Sequence, residues 1–572
     1  MSQKSRKITR RDALRQCLLA IGGTTLLNES GVTADKQASI DITSFGGGAG
    51  KYNRMLQNLK KLMISTIRTM TLRGRERRGS HHWLRDQVHV MKGVKYWEKN
   101  LTDILEFFLE QQTPSGMYWD YALPTSRGAV SRINIFEPRY SQLAEPEGRF
   151  YQRLPVEADV EYLAVEGVYL VWQVTGDIVW MEKWLPTLRR GLLYSMTDPL
   201  RWSEKYQLVK RGYTIDTWDF QHTEHLMGSG DGHKRTIEIF DIDSETPMGI
   251  MHGDNSGMYA ACVQMAEMYK AAGIPREAEH WNEQAKGFRE RTNRVCWNGD
   301  YYAHFIEDDP APAYPSIDHT RLLSLSNTYD INRGLPTHEM AVSIIRTYMR
   351  LREETRNQSF TEWYSLYPSI EPHYGGYKPG TYVNGGIITI VAGELAKAAF
   401  HHGFEKYGVD ILDRVANLME KNGGKLPVTF RPDGAVDAGI PDDWGQAAVV
   451  SALIEGLAGV RDLGAAFSRV EISPRWLAAN IDSASVTINY PMVNQTVQYS
   501  YNLNKEKRRI VLDLYGDAKS YVVRILMPRS TPVKDVWIDM KKVSWKPEKI
   551  ESSIYTVVNI TNGGKQSIKI EY

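Results

Sequence analysis

Residues 156–197, VEADVEYLAVEGVYLVWQVTGDIVWMEKWLPTLRRGLLYSMT, contain two apolar-periodic segments separated by Thr175-Gly176-Asp177. Apolar residues recur at helical spacing on both sides of this turn. Glycine is the residue type that most often ends a helix in the left-handed conformation. Because so short a connection makes consecutive helices antiparallel, the stretch predicts a helical hairpin.

Helical periodicity extends from this hairpin to residue 52 on one side and to about 463 on the other. Further pairs are joined by short glycine-containing turns at 272–275 and 402–403, whereas the connections between pairs are long and rich in polar and aromatic residues. Long ordered loops in a compact domain are usually functional. We therefore predict an (α/α)6 toroid whose long loops line a central pocket. The predicted helices are 52–70, 94–112, 156–175, 178–197, 253–272, 277–295, 319–326, 339–352, 385–402, 404–421 and 443–463.

After residue 463 the pattern changes to short segments with period-2 alternation, separated by turn residues. Seven or eight such strands predict a C-terminal antiparallel β-sandwich. The fold class is thus mainly α with a β domain. The predicted domains are 1–34, an export signal, 35–465, the catalytic domain, and 466–572, the sandwich. A structural role and a sugar-contacting role both remain open for the sandwich, because it contains no nucleophile motif or dense acid cluster.

The first 34 residues resemble a twin-arginine export signal. Arg10 and Arg11 precede an apolar stretch at 14–27, and small residues at 31–34 are suited to cleavage. We expect the mature chain to be exported to the periplasm or outside a bacterial cell. The alternative is a cytosolic chain with a basic N-terminal helix.

Composition limits the partners. The chain has 70 basic and 68 acidic side chains, and this near balance gives no net field that would attract nucleic acid. No later segment reaches the ~20 apolar residues of a membrane span. Beyond the leader only Cys262 and Cys296 remain, which excludes a disulfide framework and leaves a single bond possible. We expect a carbohydrate partner, no nucleic acid, no cofactor and no metal, and leave the oligomeric state open.

The run 214–225, TIDTWDFQHTEH, places carboxylates beside an indole. This combination suits a sugar site, because the indole ring can stack on a pyranose face while an acid protonates a glycosidic oxygen. The run lies between two predicted helices and fits no HExxH metal pattern. A polar loop with one buried tryptophan is the alternative interpretation.

Two motifs resemble those of the six-hairpin glycosidases, which include glucoamylases, trehalases, processing α-glucosidases and bacterial α-rhamnosidases. Trp83-Leu84-Arg85-Asp86 is similar to the W-x-R-D of glucoamylases. Asp216-Thr217-Trp218-Asp219 is similar to their D-x-W-E, and its W-D-F also matches trehalases. The resemblance implies that Arg85 and Asp86 bind hydroxyls of the terminal sugar and that Asp219 is the general acid. An indole wall that limits water would raise the pKa of this acid.

The sequence departs from the family at the general base. Glucoamylases place this residue shortly before the last helix, where the present chain has Lys-Leu-Pro-Val-Thr-Phe at 425–430, and Val428 cannot accept a proton. Asp437 and Glu371 are our candidates for the base. Asp443 is better explained as an N-cap or first-turn acid of the last helix. Inversion and retention both stay open.

Further substrate-binding candidates come from aromatic and polar residues of the long loops, and each of them could instead serve packing. Tyr382 and Asn384 stand in a Y-x-N-G-G run that resembles one found before a helix in related glycosidases and phosphorylases. Glu157 and Asp159 are explained by the dipole of the helix they open, but that end carries the long loops. The complete set of binding candidates is Trp83, Arg85, Asp86, Trp119, Asp120, Glu157, Asp159, Asp216, Trp218, His222, Tyr382, Asn384 and Trp444.

Three functions follow from these observations. The first is an exported glycoside hydrolase that removes a terminal sugar, with Asp219 as acid. The second is a glycoside phosphorylase, because phosphorylases of this superfamily dispense with the base. The third is a non-catalytic carbohydrate-binding scaffold. The sequence does not decide the sugar or the linkage.

Overall fold

The structure is a computed structural model that describes residues 42–124, 141–142, 149–217, 242, 246–308, 317–372, 374, 377–441, 443–528, 531–561 and 563–572. These residues contain twelve α-helices. They are α1 Gly50–Thr66, α2 Leu84–Val94, α3 Asp103–Glu110, α4 Val160–Thr175, α5 Ile178–Thr197, α6 His252–Ala271, α7 Pro275–Cys296, α8 Ser326–Arg333, α9 His338–Thr355, α10 Thr389–His401, α11 Glu405–Lys421 and α12 Asp443–Ser451.

The even-numbered helices form a closed ring of contacts. Helix α2 packs against α4, α4 against α6, α6 against α8, α8 against α10, α10 against α12, and α12 returns to α2. Each odd-numbered helix packs against one or more helices of this ring. Connections out of the ring helices include the short segments 176–177, 272–274, 334–337 and 402–404, whereas 111–159, 198–251 and 356–388 lead back into them. The long loops therefore precede the first turns of the ring helices.

Helices α10 and α12 approach each other closely at Gly393. A Cβ atom added at Gly393 would lie 2.5 Å from the backbone carbonyl carbon of Ala448. Real Cβ atoms do not approach backbone atoms so closely, so only glycine lets these two helices come together here.

The two largest sheets of the described residues contain seven and five strands. The larger contains, in spatial order, Ser44–Gly47, Ser483–Tyr490, Gln495–Asn504, Arg509–Gly516, Gln566–Glu571, Asp535–Ile538 and Lys541–Lys542. The smaller contains Val460–Asp462, Arg469–Ile472, Ser520–Leu526, Ser553–Ile560 and Lys546–Ile550. Three two-stranded sheets in the loops pair Arg68–Leu72 with Arg75–Gly79, Leu323–Ser324 with Leu366–Tyr367, and Pro427–Phe430 with Val436–Pro441. A three-stranded sheet contains, in spatial order, Tyr121–Pro124, Arg149–Gln152 and Ser141–Gln142, and a four-stranded sheet contains Ile306–Glu307, Met248–Ile250, Leu208–Gly212 and Trp202–Ser203.

The predicted class, mainly helical with strands in antiparallel sheets, is confirmed. One detail of the sandwich prediction is wrong, because Arg469–Ile472 pairs in parallel with Ser520–Leu526. The larger sheet also takes its edge strand, Ser44–Gly47, from the segment before the first helix. No described helix is both long enough and apolar enough to cross a membrane.

Three predicted helices differ from the structure by more than their end residues. The segment predicted as a helix at 319–326 contains a 3₁₀ turn at His319–Arg321 and a strand at Leu323–Ser324, and α8 begins only at Ser326. The helix predicted at 94–112 is shorter, because the Asn100 side chain accepts hydrogen bonds from the amides of Thr102 and Asp103 and only α3, Asp103–Glu110, follows. The ring helix α2, Leu84–Val94, was not predicted. The helix predicted at 443–463 leaves the α conformation after Ser451, passes through one π-helical segment at Ala452–Leu457, and stops at Gly459. Gly459 has φ +69°, a conformation that favours glycine.

Candidate active site

Arg85 joins three segments of the chain at the first turn of α2. The side chain is buried, and its Nε donates a hydrogen bond to Asp159 Oδ2 at 2.9 Å. Its Nη1 contacts Glu157 Oε1, and its Nη2 donates to the carbonyl of Thr217 at 2.6 Å. Arg85 therefore holds the acidic approach to α4 and the run that leads to Trp218 against the start of α2.

The neighbours of Arg85 in the predicted motif have different surroundings. Trp83 is buried at the start of α2, with its ring 4.3 Å from that of Tyr121. Asp86 is half-buried. Burial raises the pKa of Asp86 above its ordinary value, although the charges of His81 and Arg85 oppose this shift. Asp86, rather than Arg85, is the member of the motif with solvent access.

Asp120 and Glu157 form a carboxyl pair beneath Arg85. Both are fully buried, and their side chains are hydrogen-bonded to each other. Asp120 Oδ1 and Glu157 Oε2 have no donor among the described residues, which is the arrangement expected when two carboxyl groups share one proton. Burial raises the pKa of both groups. The charge of Arg85 lowers the pKa of Glu157, whereas Asp120 and Asp159 raise it further. The neighbouring Trp119 is a core residue.

Asp216 anchors the loop that leads to Trp218. It has φ +55°, and its Oδ1 accepts hydrogen bonds from the Thr217 amide at 2.6 Å and from the Ser326 hydroxyl. Its Oδ2 accepts from the Ser326 amide at 3.0 Å, and its own amide donates to His304 Nε2 at 3.0 Å. Burial opposes ionisation, but the charge of His252 and the serine hydrogen bonds lower the pKa of Asp216 to about 2. We predicted a substrate contact here, and the structure uses both oxygens to fix the backbone.

His252 connects this loop to α8. Its Nδ1 lies 2.5 Å from Asp330 Oδ2, and its Nε2 lies 2.9 Å from the Ser324 hydroxyl. Burial lowers the pKa of His252, but Asp330 and Asp216 together raise it above its ordinary value. A protonated imidazole between two buried carboxylates then stabilises both. The sequence predicted only a helix from residue 253 here and did not indicate this contact.

The first turn of the last ring helix reaches the same region. Asp443 Oδ2 lies 3.1 Å from His81 Nε2, and both side chains are buried. The ring of Trp444 stacks on His89 with centroids 4.1 Å apart and lies 5.5 Å from the Arg85 guanidinium. Asp443 is a first-turn acid of α12, as predicted, and Trp444 lies over Arg85.

The two candidates for the base lie on exposed surfaces. Asp437 Oδ2 accepts a hydrogen bond from the Tyr382 amide at 2.7 Å, and Glu371 is exposed. Among the described residues no hydrogen bond or ion pair joins either to Arg85. Val428 is buried in the strand Pro427–Phe430.

Tyr382 and Asn384 shape their own loop. Asn384 is fully buried, and its amide oxygen accepts from Ile370 while its amide nitrogen donates to the carbonyls of Ile370 and Tyr377. Tyr382 has φ +42° and lies with its ring 5.1 Å from that of Tyr377. The Asn384 side chain therefore fixes the backbone that carries Tyr382.

Trp218, Asp219 and His222 lie outside the described residues. The general acid and its indole neighbour therefore stay predictions. Thr217, which directly precedes Trp218, is held by Arg85.

The sequence matches no protein-family model and no curated protein. The fold, however, is similar to solved glycosidase structures. One is an α-L-rhamnosidase from Dictyoglumus thermophilum, with a TM-score of 0.58 and 12% identity over 93% of this chain and 50% of that chain. Another is a GH78 family rhamnosidase of Bacillus sp. GL1, with a TM-score of 0.56 and 12% identity over 85% of this chain and 43% of that chain.

The chain thus spans about half the length of the solved structures that it matches. Both rhamnosidases are six-hairpin glycosidases, so the predicted resemblance to that superfamily is confirmed at the level of the fold.

Proposed function

We propose that this chain, which has the fold of the six-hairpin glycosidases, is a glycoside hydrolase that removes a terminal sugar from an oligosaccharide or polysaccharide by acid-catalysed, inverting hydrolysis. The observation that carries the proposal is the hydrogen bond from Arg85 to the carbonyl of Thr217. It joins the W-L-R-D motif to the D-T-W-D run, although the two are far apart in sequence. These are the two motifs that, in glucoamylases, hold the terminal sugar and protonate its glycosidic oxygen.

Four side chains have different roles in the proposed reaction. Asp219 donates a proton to the glycosidic oxygen as the bond to the anomeric carbon breaks, and Trp218 restricts water around it. Asp86 accepts a hydrogen bond from a sugar hydroxyl. Arg85, whose three nitrogens are used on Asp159, Glu157 and Thr217, fixes the relative positions of these groups.

We also assign the helices to an (α/α)6 toroid followed by a β-sandwich. The closed ring of even-numbered helices, with odd-numbered helices packed against it, supports the toroid. The seven-stranded and five-stranded sheets support the sandwich.

Export through the twin-arginine sequence at residues 1–34 is part of the proposal. Cell fractionation of a bacterium that makes the full chain tests it. The unaltered chain is expected outside the cytoplasm, whereas the double variant Arg10→Lys, Arg11→Lys should remain inside. Equal distribution of the two would contradict export by this route.

Hydrolysis is tested with purified protein, aryl glycosides and oligosaccharides in phosphate-free buffer. Reducing sugar should be released, and Asp219→Asn should lower turnover by roughly 10²–10⁴-fold, as expected for loss of a general acid. An unchanged rate in that variant would remove Asp219 from the mechanism.

A glycoside phosphorylase is the second candidate, and the apolar Val428 at the family's base position favours it. In that reaction phosphate attacks the anomeric carbon and needs no base. Formation of a sugar phosphate that depends on added phosphate identifies this activity. Binding of oligosaccharide without turnover in either buffer identifies a carbohydrate-binding scaffold instead.

A further inference from the structure

An inverting hydrolase needs a proton acceptor for the attacking water. That acceptor has to be a carboxylate near the sugar-binding residues, held ionised, with one oxygen available to the water. Val428 cannot serve, and Asp437 and Glu371 lie on exposed surfaces. The start of α12 offers another carboxylate.

Asp443 begins a ring helix that packs beside the proposed sugar-binding residues. Helix α12 is the ring neighbour of α2, the helix that carries Arg85 and Asp86. Trp444, the residue after Asp443, lies over the Arg85 guanidinium. His81, the hydrogen-bond partner of Asp443, lies four residues before Arg85 in the sequence.

The two oxygens of Asp443 have different surroundings. Oδ2 accepts a hydrogen bond from His81, whereas Oδ1 is buried and has no hydrogen-bond partner among the described residues. Asp443 is 5% exposed. A buried carboxylate oxygen without a donor costs about 1–3 kcal/mol or more, so such an oxygen is normally satisfied by water or ligand. Oδ1 therefore has the capacity that a water-activating base needs.

His81 is the cationic partner of this carboxylate. Burial lowers the pKa of His81, but the hydrogen bond to Asp443 and the charges of Asp86 and Asp443 together raise it, against the opposing charge of Arg68. A protonated His81 donates to Oδ2 and stabilises the negative charge on Asp443. The imidazole also orients the carboxylate, since one of its oxygens is fixed.

We propose that Asp443, oriented by His81, is the general base of the reaction. The inference rests on the proposed hydrolase function. One O–H bond of the water breaks and its proton moves to Asp443 Oδ1, while the water oxygen bonds to the anomeric carbon. The bond from that carbon to the leaving oxygen breaks, its electron pair stays on the leaving oxygen, and this oxygen takes the proton of Asp219. The released sugar has the inverted anomeric configuration.

The test compares Asp443→Asn with Asp219→Asn on aryl glycosides whose leaving groups differ in acidity. Asparagine has the size of aspartate, and its amide oxygen can still accept a hydrogen bond from His81, so Asp443→Asn is expected to keep the fold. Asp433→Asn is the matched control, because Asp433 is an exposed acid between the two strands that precede α12, paired with Arg431.

The expected results separate base from acid. Asp443→Asn should lose roughly 10²–10⁴-fold in turnover on every leaving group, since the water still lacks an acceptor. The loss in Asp219→Asn should shrink as the leaving group becomes more acidic. Azide, a nucleophile that needs no base, should restore turnover in Asp443→Asn and give a glycosyl azide of inverted configuration.

His81→Gln provides an independent readout. Glutamine can still donate to Asp443 but carries no charge, so the acidic limb of the kcat/KM profile should move to higher pH. A merely structural role for His81 would lower the melting temperature and leave the limb in place.

The outcomes are distinct. If Asp443→Asn keeps the rate of the unaltered protein while Asp219→Asn loses it, the base assignment is wrong and the hydrolase function stands. If Asp443→Asn loses its rate together with its melting temperature and azide restores nothing, Asp443 is structural and the assignment is again wrong. If the unaltered protein hydrolyses no glycoside, the proposed function fails and the assignment fails with it.

Discussion

The Nη2 atom of Arg85 donates a 2.6 Å hydrogen bond to the carbonyl oxygen of Thr217, 132 residues later in the chain. The same guanidinium pairs with two carboxylates that precede α4. A planar cation with donors in a fixed fork can satisfy three acceptors at once, which an ammonium on a flexible stem cannot do in the same geometry.

Replacing Arg85 should therefore damage both stability and turnover. Arg85→Ala leaves the buried carboxylate of Asp159 without its cation, and breaking a buried pair in this way costs about 3–5 kcal/mol. Urea denaturation measures the loss, with Arg356→Ala as control because Arg356 forms an exposed pair with Glu353. Equal stabilities for the two variants would show that Arg85 does not hold these segments together.

Removing the charge of Asp86 should weaken substrate binding and turnover together. Asp86→Asn keeps the size of the side chain but loses a charge-assisted hydrogen bond worth about 1.5–3 kcal/mol, or roughly 10- to 100-fold in kcat/KM. Steady-state kinetics on the best substrate should show a higher KM and a lower kcat. A change in neither parameter would place Asp86 outside the sugar site.

The Asp120–Glu157 pair should make stability depend on pH. The pKa of Glu157 is raised in the folded state by burial and by the neighbouring acids. Its contribution to stability is then fully present below the unfolded pKa, near the ordinary value of 4.5, and is lost as pH rises toward the folded pKa. Glu157→Gln imitates the protonated acid, so its stability relative to the unaltered protein should increase as pH rises above that value.

Urea denaturation across a pH series checks this expectation. Arg85, Asp86, Arg153 and Asp159 are the charged groups around the pair, and they are unaltered in the variant. Glu353→Gln, an exposed acid, is the matched control. A difference between Glu157→Gln and the unaltered protein that is constant with pH would exclude a shared proton.

The close contact between α10 and α12 should be intolerant of a methyl group. Gly393→Ala would place a Cβ atom 2.5 Å from the backbone of Ala448, and overpacking of this kind costs about 1–3 kcal/mol. Gly439→Ala is the control, because nothing lies within 4 Å of a Cβ there. Calorimetry should show a lower melting temperature for Gly393→Ala alone.

Periodicity predicted most of the helices because these contain long uninterrupted apolar patterns, but it did not predict the ring helices α2 and α8. It failed where side chains act on the backbone. The Asn100 side chain accepts hydrogen bonds from the amides of Thr102 and Asp103, so the helix predicted at 94–112 begins only at Asp103. The apolar stretch after Asp443 continues past the point at which Gly459 turns the chain into a strand. The spacing of apolar residues reveals neither the hydrogen bonds of Asn100 nor the turn at Gly459.

The candidate site was predicted in part, through the motifs that resemble other glycosidases. What the sequence could not show is which polar groups satisfy one another. Glu157 and Asp159 are typical first-turn acids in sequence, yet they pair with Arg85 from another ring helix. Asp443 was also interpreted as a first-turn acid, and its contact with His81, 362 residues away, emerges only from the fold.

The strand Ser44–Gly47, placed at the edge of the larger sheet, affects the order in which the chain can be completed. Its neighbour Thr43 is tied through its side chain to Asn489, 446 residues further along, and both ends of this contact are buried. During synthesis this strand emerges long before its partner strand, Ser483–Tyr490, exists. The helical ring can close while Ser44–Gly47 is still unpaired. The hydrogen bonds of this strand form only after Ser483–Tyr490 has been made. A protein shortened after residue 463 would therefore present an unpaired β-strand at its beginning, a feature that promotes association between chains.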